Sequence, residues 1–207
     1  MKKLNLLLVL VTVCSIYVSA QPGKIALAQI NPKLPASKVD FDAFETLTKE
    51  VKEYRKDRLL SLPQFVTYSK EKNTVILDTR STEMYKRKHV KGAIHLDFSD
   101  FTQANLRRLI PSANTRILIY CNNNFDKDQI HFITKSAQPA VFDNKKPITL
   151  ALNIPTFINL YGYGYKNVYE LADLVSVFDS SIQFEGTSVA KPVLIPQTSA
   201  VSAPATR

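Results

Sequence analysis

This chain has little with which to cross-link itself or hold a metal. Among its 207 residues are two cysteines, Cys14 and Cys121, and three histidines, His89, His95 and His131. Cys14 lies in an apolar N-terminal run, and removal of that run leaves Cys121 alone, which excludes an intrachain disulfide in the mature chain. The histidines are isolated and lack the spacing of a zinc site, so no metal is expected. No comfortable membrane span is present either, since that takes about 20 consecutive apolar residues. Lysine and arginine are interspersed with acids between residues 49 and 91, and no basic stripe interleaved with aromatics occurs. Nucleic acid is therefore not an expected partner. The formal charge of +9 drops by two if Lys2 and Lys3 are lost, and it describes a solvated surface with a mild preference for anions. No internal repeat is visible.

The ends are distinctive. Met1-Lys2-Lys3, the apolar stretch Leu4 to Val13 and the small residues Val18-Ser19-Ala20 form an export signal over residues 1–20. That predicts a periplasmic or secreted protein with no stable membrane insertion once the signal is gone. Val13 is a poor residue to precede a lipidated Cys14. Residues 21–39, with three prolines, read as a flexible lead-in, and residues 40–58 as an amphipathic helical extension. In that extension Phe41, Phe44, Leu47, Val51 and Tyr54 recur at helical steps behind a capping Asp40. The main domain is expected over residues 59–184. Residues 185–207, rich in Pro, Ser, Thr, Ala and Val, read as a disordered tail.

Within the domain, a short helix is expected from Ser61 through Tyr68, and others over Thr82–Lys88, Phe98–Leu109, Asp126–Lys135 and Leu150–Leu160, the last with Pro155 as an awkward interior residue. Thr74–Asp78 and Arg116–Tyr120 are continuous apolar runs, the pattern of strands covered on both faces of a parallel sheet. Ala93–Leu96 and a final strand, Lys166–Leu171, complete an α/β alternation, with a loop over residues 137–147.

Cys121 closes the run Arg116–Tyr120 and is followed by three asparagines. An unpaired thiol in an oxidising compartment is unusual and points to a role; the plain alternative is a small buried hydrophobe. Upstream stand Val75-Ile76-Leu77-Asp78-Thr79-Arg80 and Tyr85-Lys86-Arg87-Lys88-His89-Val90-Lys91-Gly92-Ala93. Downstream is Gly162-Tyr163-Gly164-Tyr165-Lys166-Asn167-Val168-Tyr169-Glu170-Leu171. Over about residues 60 to 172, in the right order, these elements resemble the rhodanese (sulfurtransferase) family. The resemblance implies a doubly wound central parallel sheet flanked by helices, with Cys121 at the C-terminal edge of a central strand. It also implies double displacement: a Cys121 thiolate takes sulfane sulfur as a persulfide, and an acceptor removes it. The backbone N–H groups of the loop Asn122, Asn123, Asn124, Phe125, Asp126 and Lys127 would hold the anion. No metal or organic cofactor is implied, and the expected partner is a small sulfur-containing anion or a protein thiol acceptor.

The chain departs from the family in three places. Lys91 replaces the usual proline. Asn122, Asn124 and Asp126 replace the arginine, glycine and second arginine or hydroxyl residue that typically follow the cysteine. Asn124 tolerates positive φ and can preserve the cradle. Asp126 would raise the thiol pKa if it faced the sulfur, or would cap the following helix if it turned away. Lys127 is the nearby cation in sequence that can replace the arginine. Lastly, Glu170-Leu171-Ala172-Asp173-Leu174 replaces a Glu-Gly-Gly turn. Asp78 and Arg80 are expected to form a structural ion pair and His89 to bond the backbone. The Tyr161–Tyr165 cluster reads as a helix stop before a strand. These departures keep a second reading open, that of a catalytically degenerate rhodanese fold used for binding or sensing. A third, a thiol-redox role for Cys121, is weaker.

Overall fold

The computed structural model describes residues 34–137 and 148–190. The expected export signal, the lead-in up to residue 33, most of the expected 137–147 loop and the tail beyond residue 190 lie outside the described residues.

Helix α1 (Phe41–Tyr54) begins where the Asp40 carboxylate accepts the Ala43 N–H at 2.9 Å. Its stripe is only half used. Phe41 is 75% exposed, whereas Val51 is 2% exposed and packs into the core with Leu47 and Tyr54. The expected helix does not run evenly to Arg58; residues Arg55–Arg58 tighten into a 3-10 turn. Next come β1 (Leu59–Leu60), α2 (Leu62–Ser69), β2 (Thr74–Asp78), α3 (Thr82–Arg87), β3 (His89–Val90) and β4 (Ile94–His95). A reciprocal box of Ser61 and Gln64 starts α2. The helix expected over Phe98–Leu109 is split into a 3-10 turn at Phe98–Asp100 and α4 (Gln103–Leu109), because the Thr102 side chain caps a fresh start.

The second half holds β5 (Arg116–Tyr120), β6 (Phe125–Asp126), β7 (Ser136–Ala137), β8 (Ile148–Thr149), α5 (Asn153–Gly162), β9 (Val168–Leu171), β10 (Val175–Ser176) and β11 (Phe184–Glu185). Pro155 lies in the first turn of α5, where its missing N–H has no intrahelical partner to lose. The helix expected over Asp126–Lys135 is absent. Phe125 and Asp126 instead pair in parallel with Val175 and Ser176, and Lys127 takes φ of 70°. Phe125 and Phe132 turn inward onto Phe184, with ring centroids 5.1 and 5.5 Å from it. A partner strand some fifty residues away in sequence thus overrides the local helical pattern.

The main sheet has five parallel strands in the order β1-β9-β5-β2-β4, flanked by helices. Alternation along β5 divides the interior. Ile117 and Ile119 enter a core with Val51 of α1, Leu106 of α4 and Phe157 and Leu160 of α5. Leu118 and Tyr120 enter the opposite core with Phe65 of α2, Phe125 and Phe132. Burial of these apolar side chains is the main favourable contribution to folding, about 1.5–3 kcal/mol for each fully buried large one.

The head of the expected tail is ordered. Phe184 and Glu185 pair antiparallel with Val90 and His89, and the Thr187 and Ser188 N–H groups donate to the Lys86 and Arg87 carbonyls at 2.9 Å each. Gly186 makes this approach possible, with φ of 136° and no room for a Cβ against the Arg87 carbonyl. Gly186→Ala is expected to release this strap. Hydrogen exchange should show lost protection at Thr187 and Ser188, with the β5 amides still protected.

Candidate functional site

Cys121 continues β5 in extended geometry (φ −145°, ψ −175°), then the chain bends into a 3-10 turn over Asn122–Asn124. Alternation sends Cys121 to the face of Ile117 and Ile119, toward the start of α5. It is 1% exposed. The Asn124 N–H donates to its sulfur, and the N–H groups of Asn123 and of Asn153, the first residue of α5, also favour its anion. The N–H donors therefore come from two elements, the turn and a helix start.

The rest of the loop does other work. The Asn124 side chain accepts the Cys121 N–H at 2.9 Å and donates to the Leu171 carbonyl at 2.7 Å, fastening the turn to the end of β9. Positive φ falls at Lys127 rather than at Asn124. Asn123 accepts the Lys135 N–H at 2.7 Å and donates to the Lys135 carbonyl and the Thr149 hydroxyl at 2.8 and 2.9 Å, so it anchors β7 and β8. Asn122 is buried, and its Oδ1 has no hydrogen-bond partner among the described residues. Phe125 belongs to the core. Asp126 accepts the N–H of Lys127 at 2.7 Å and pairs with its ammonium at 3.4 Å, both side chains partly in solvent. With no helix after it, Asp126 caps none, and Lys127 is spent on Asp126.

The charged side chain that does act on the sulfur is Glu170, which the sequence reading passed over as part of a strand motif. It is 2% exposed and lies opposite Ile119 in the β5–β9 register, on the face of Cys121. Arg55, from the tightened turn after α1, grips it with Nε at 2.5 Å from Oε2 and Nη2 at 2.6 Å from Oε1. The Asn153 side-chain amide also donates to Oε1. The hydrogen bond to Glu170 holds the Arg55 guanidinium above its ordinary pKa. The Cys121 thiol is raised to about 11: burial is the largest cause, the three N–H groups act against it, and the Glu170 carboxylate adds to it. Desolvation wins over the N–H donors.

The other expected residues occupy the opposite face. Arg80 Nη2 donates to Asp78 Oδ2 at 2.7 Å and to the Lys88 carbonyl at 2.7 Å, and Nη1 donates to the His131 carbonyl at 2.9 Å. Tyr120 Oη donates to Asp78 Oδ2 at 2.5 Å and accepts the Val90 N–H at 3.1 Å. Burial, reinforced by the Asp78 charge, drives the Tyr120 phenol well above its usual pKa, so it stays a donor. His89 stacks on Tyr85 with centroids 3.9 Å apart, its Nδ1 lying 2.6 Å from the Tyr85 carbonyl and its Nε2 3.2 Å from Glu185. These groups are fully engaged within the fold and stand on the far side of the sheet from the sulfur.

Cys121 lines none of four clefts on the surface of the described residues, each bounded by other side chains. One of them, about 260 Å³, lies beside α2 and β3, between Phe65, Lys70, Val90 and Ile182. Among the described residues no cluster of His, Cys, Asp and Glu is arranged to hold a metal ion, and no helix is long and apolar enough to cross a membrane.

A family model described as a rhodanese-like domain matches residues 61–173. That segment contains Asp78, Arg80, Cys121, Asn153 and Glu170, and Arg55 precedes it. Among solved structures, the BH2092 protein from Bacillus halodurans is 18% identical over 61% of this chain and 73% of that chain, with a TM-score of 0.37. A search of curated proteins gives no match.

Two outcomes are expected. Alkylation of Cys121 by iodoacetamide, followed by intact mass, should be slower at pH about 8 than that of free cysteine and should rise toward pH about 11, because the thiolate is the reactive form. Arg80→Met should cost about 3–5 kcal/mol in chemical denaturation, since it leaves the Asp78 carboxylate buried without its cation.

Proposed function

On the premise that this chain belongs to the rhodanese-like domain family, we propose that it is a binding or sensory module built on that fold. Cys121 is withheld from sulfur transfer. The observation that carries this reading is the environment of the sulfur: it is buried, its thiol is raised to about 11, and a buried carboxylate on the same face of the sheet acts against its anion. A sulfurtransferase nucleophile needs a thiolate near neutral pH and an approach for an anionic donor. The cation nearest in sequence, Lys127, is engaged with Asp126. We place the protein outside the cytoplasm on the strength of residues 1–20, and we expect a partner that recognises the folded surface.

A second reading, sulfur transfer through a Cys121 persulfide, is favoured by one observation, the three N–H groups that act on the sulfur. In that chemistry the thiolate attacks the outer sulfur of thiosulfate, the S–S bond of the donor breaks, and sulfite departs with the electron pair. A small anion or a protein thiol then accepts the outer sulfur and regenerates the thiolate. The same N–H groups would hold the persulfide anion.

Intact mass after incubation with thiosulfate or polysulfide separates the two readings. No gain is expected. A stoichiometric gain of one sulfur atom that disappears in Cys121→Ser would overturn the module and establish the carrier.

A further inference from the structure

A buried ion pair is costly to assemble, and a hydrophobic replacement of similar volume is often no less stable. The Arg55–Glu170 pair therefore calls for an explanation beyond stability. Its position supplies one. Glu170 lies across from Ile119, two residues before Cys121 and on the same face of the sheet. Asn153 bridges the two groups, its main-chain N–H acting on the sulfur and its side-chain amide donating to Glu170. Arg55 reaches the carboxylate across 115 residues of sequence, from a turn that precedes the family-matched segment. The 3-10 tightening at Arg55–Arg58 starts the chain toward β1 and leaves Arg55 only 28% exposed.

We propose that Glu170 and Arg55 together govern the charge state of the Cys121 sulfur, so that the turn after α1 is an electrostatic part of the cysteine site. With the pair intact, the guanidinium is bonded to the carboxylate and answers its charge, and the sulfur responds to the pair as a unit. The two partners act in opposite senses. Loss of the carboxylate removes the anion that acts on the sulfur and favours the thiolate; loss of the guanidinium leaves that anion without its partner and favours the thiol. A pair that served only to hold the fold together would behave differently, because either loss would loosen the packing and bring the thiol toward free cysteine. The inference rests on Cys121 being a buried thiol and holds whether or not that thiol carries sulfur. Sulfur gain would overturn the module reading and leave this one standing.

The test uses Glu170→Gln, Arg55→Gln and the double variant, each carrying Cys14→Ser so that Cys121 is the one thiol, with Cys121 alkylation by iodoacetamide measured by intact mass across pH and folding checked by circular dichroism. Glu170→Gln is expected to raise the rate at pH about 8 by about tenfold, the effect of one pKa unit on the thiolate fraction. Arg55→Gln should leave the rate at or below that of the unaltered protein. The double variant, which has no buried unpaired charge, should fall between the single variants, and it decides the matter if Arg55→Gln does not fold. A rise in both single variants, no change in Glu170→Gln, or a double variant at least as fast as Glu170→Gln would each overturn the proposal.

Discussion

The guanidinium of Arg80 is the hub on which one half of the molecule depends. It neutralises Asp78 at the end of β2, accounts for the Lys88 carbonyl before β3, and fixes the His131 carbonyl in the irregular segment after Cys121. Through Asp78 it also orients Tyr120, whose hydroxyl receives the Val90 N–H. Three strands and a loop with almost no regular structure thus share one fully engaged charge network. Phe132 lies under the guanidinium, 4.5 Å from its carbon, so the network is closed by an aromatic face as well as by hydrogen bonds. An irregular segment persists in this position because its backbone groups have partners, not because its own sequence favours the shape.

One residue further along β5 the situation reverses. Tyr120 faces a network in which every charge is answered, and Cys121 is buried where opposing influences compete. Three N–H groups favour a thiolate, while burial and Glu170 oppose it, and the thiol is raised to about 11. The result shows why a backbone nest alone does not make a nucleophile. Dipoles lower a pKa only when they outweigh the solvation the ion has lost.

The sheet and the location of the thiol were legible in the sequence because their signals are local. Val75–Leu77 and Ile117–Tyr120 are apolar throughout, as buried parallel strands must be, and Asp78 with Arg80 marks a strand end with a charge pair two residues apart. The failures come from distance. Residues 126–135 have a helical pattern, but Phe125 and Asp126 find Val175 and Ser176 instead, and no short window contains both. Arg55 and Glu170 are invisible as a pair for the same reason. Glu170 did carry a signal, being the one acid in the apolar strand Val168–Leu171, at a position whose neighbours all point inward. Asn153 carried none, because its role depends on where α5 begins, and Pro155 obscured that point.

Both edges of the main sheet are formed by two-residue strands, β1 and β4. A neighbouring molecule approaching either side finds only a short row of free peptide groups before the chain turns away. Strand addition at such an edge gains too few hydrogen bonds to offset the ordering it requires. The shortness of both edge strands thus works against edge-to-edge growth of the protein in a crowded solution.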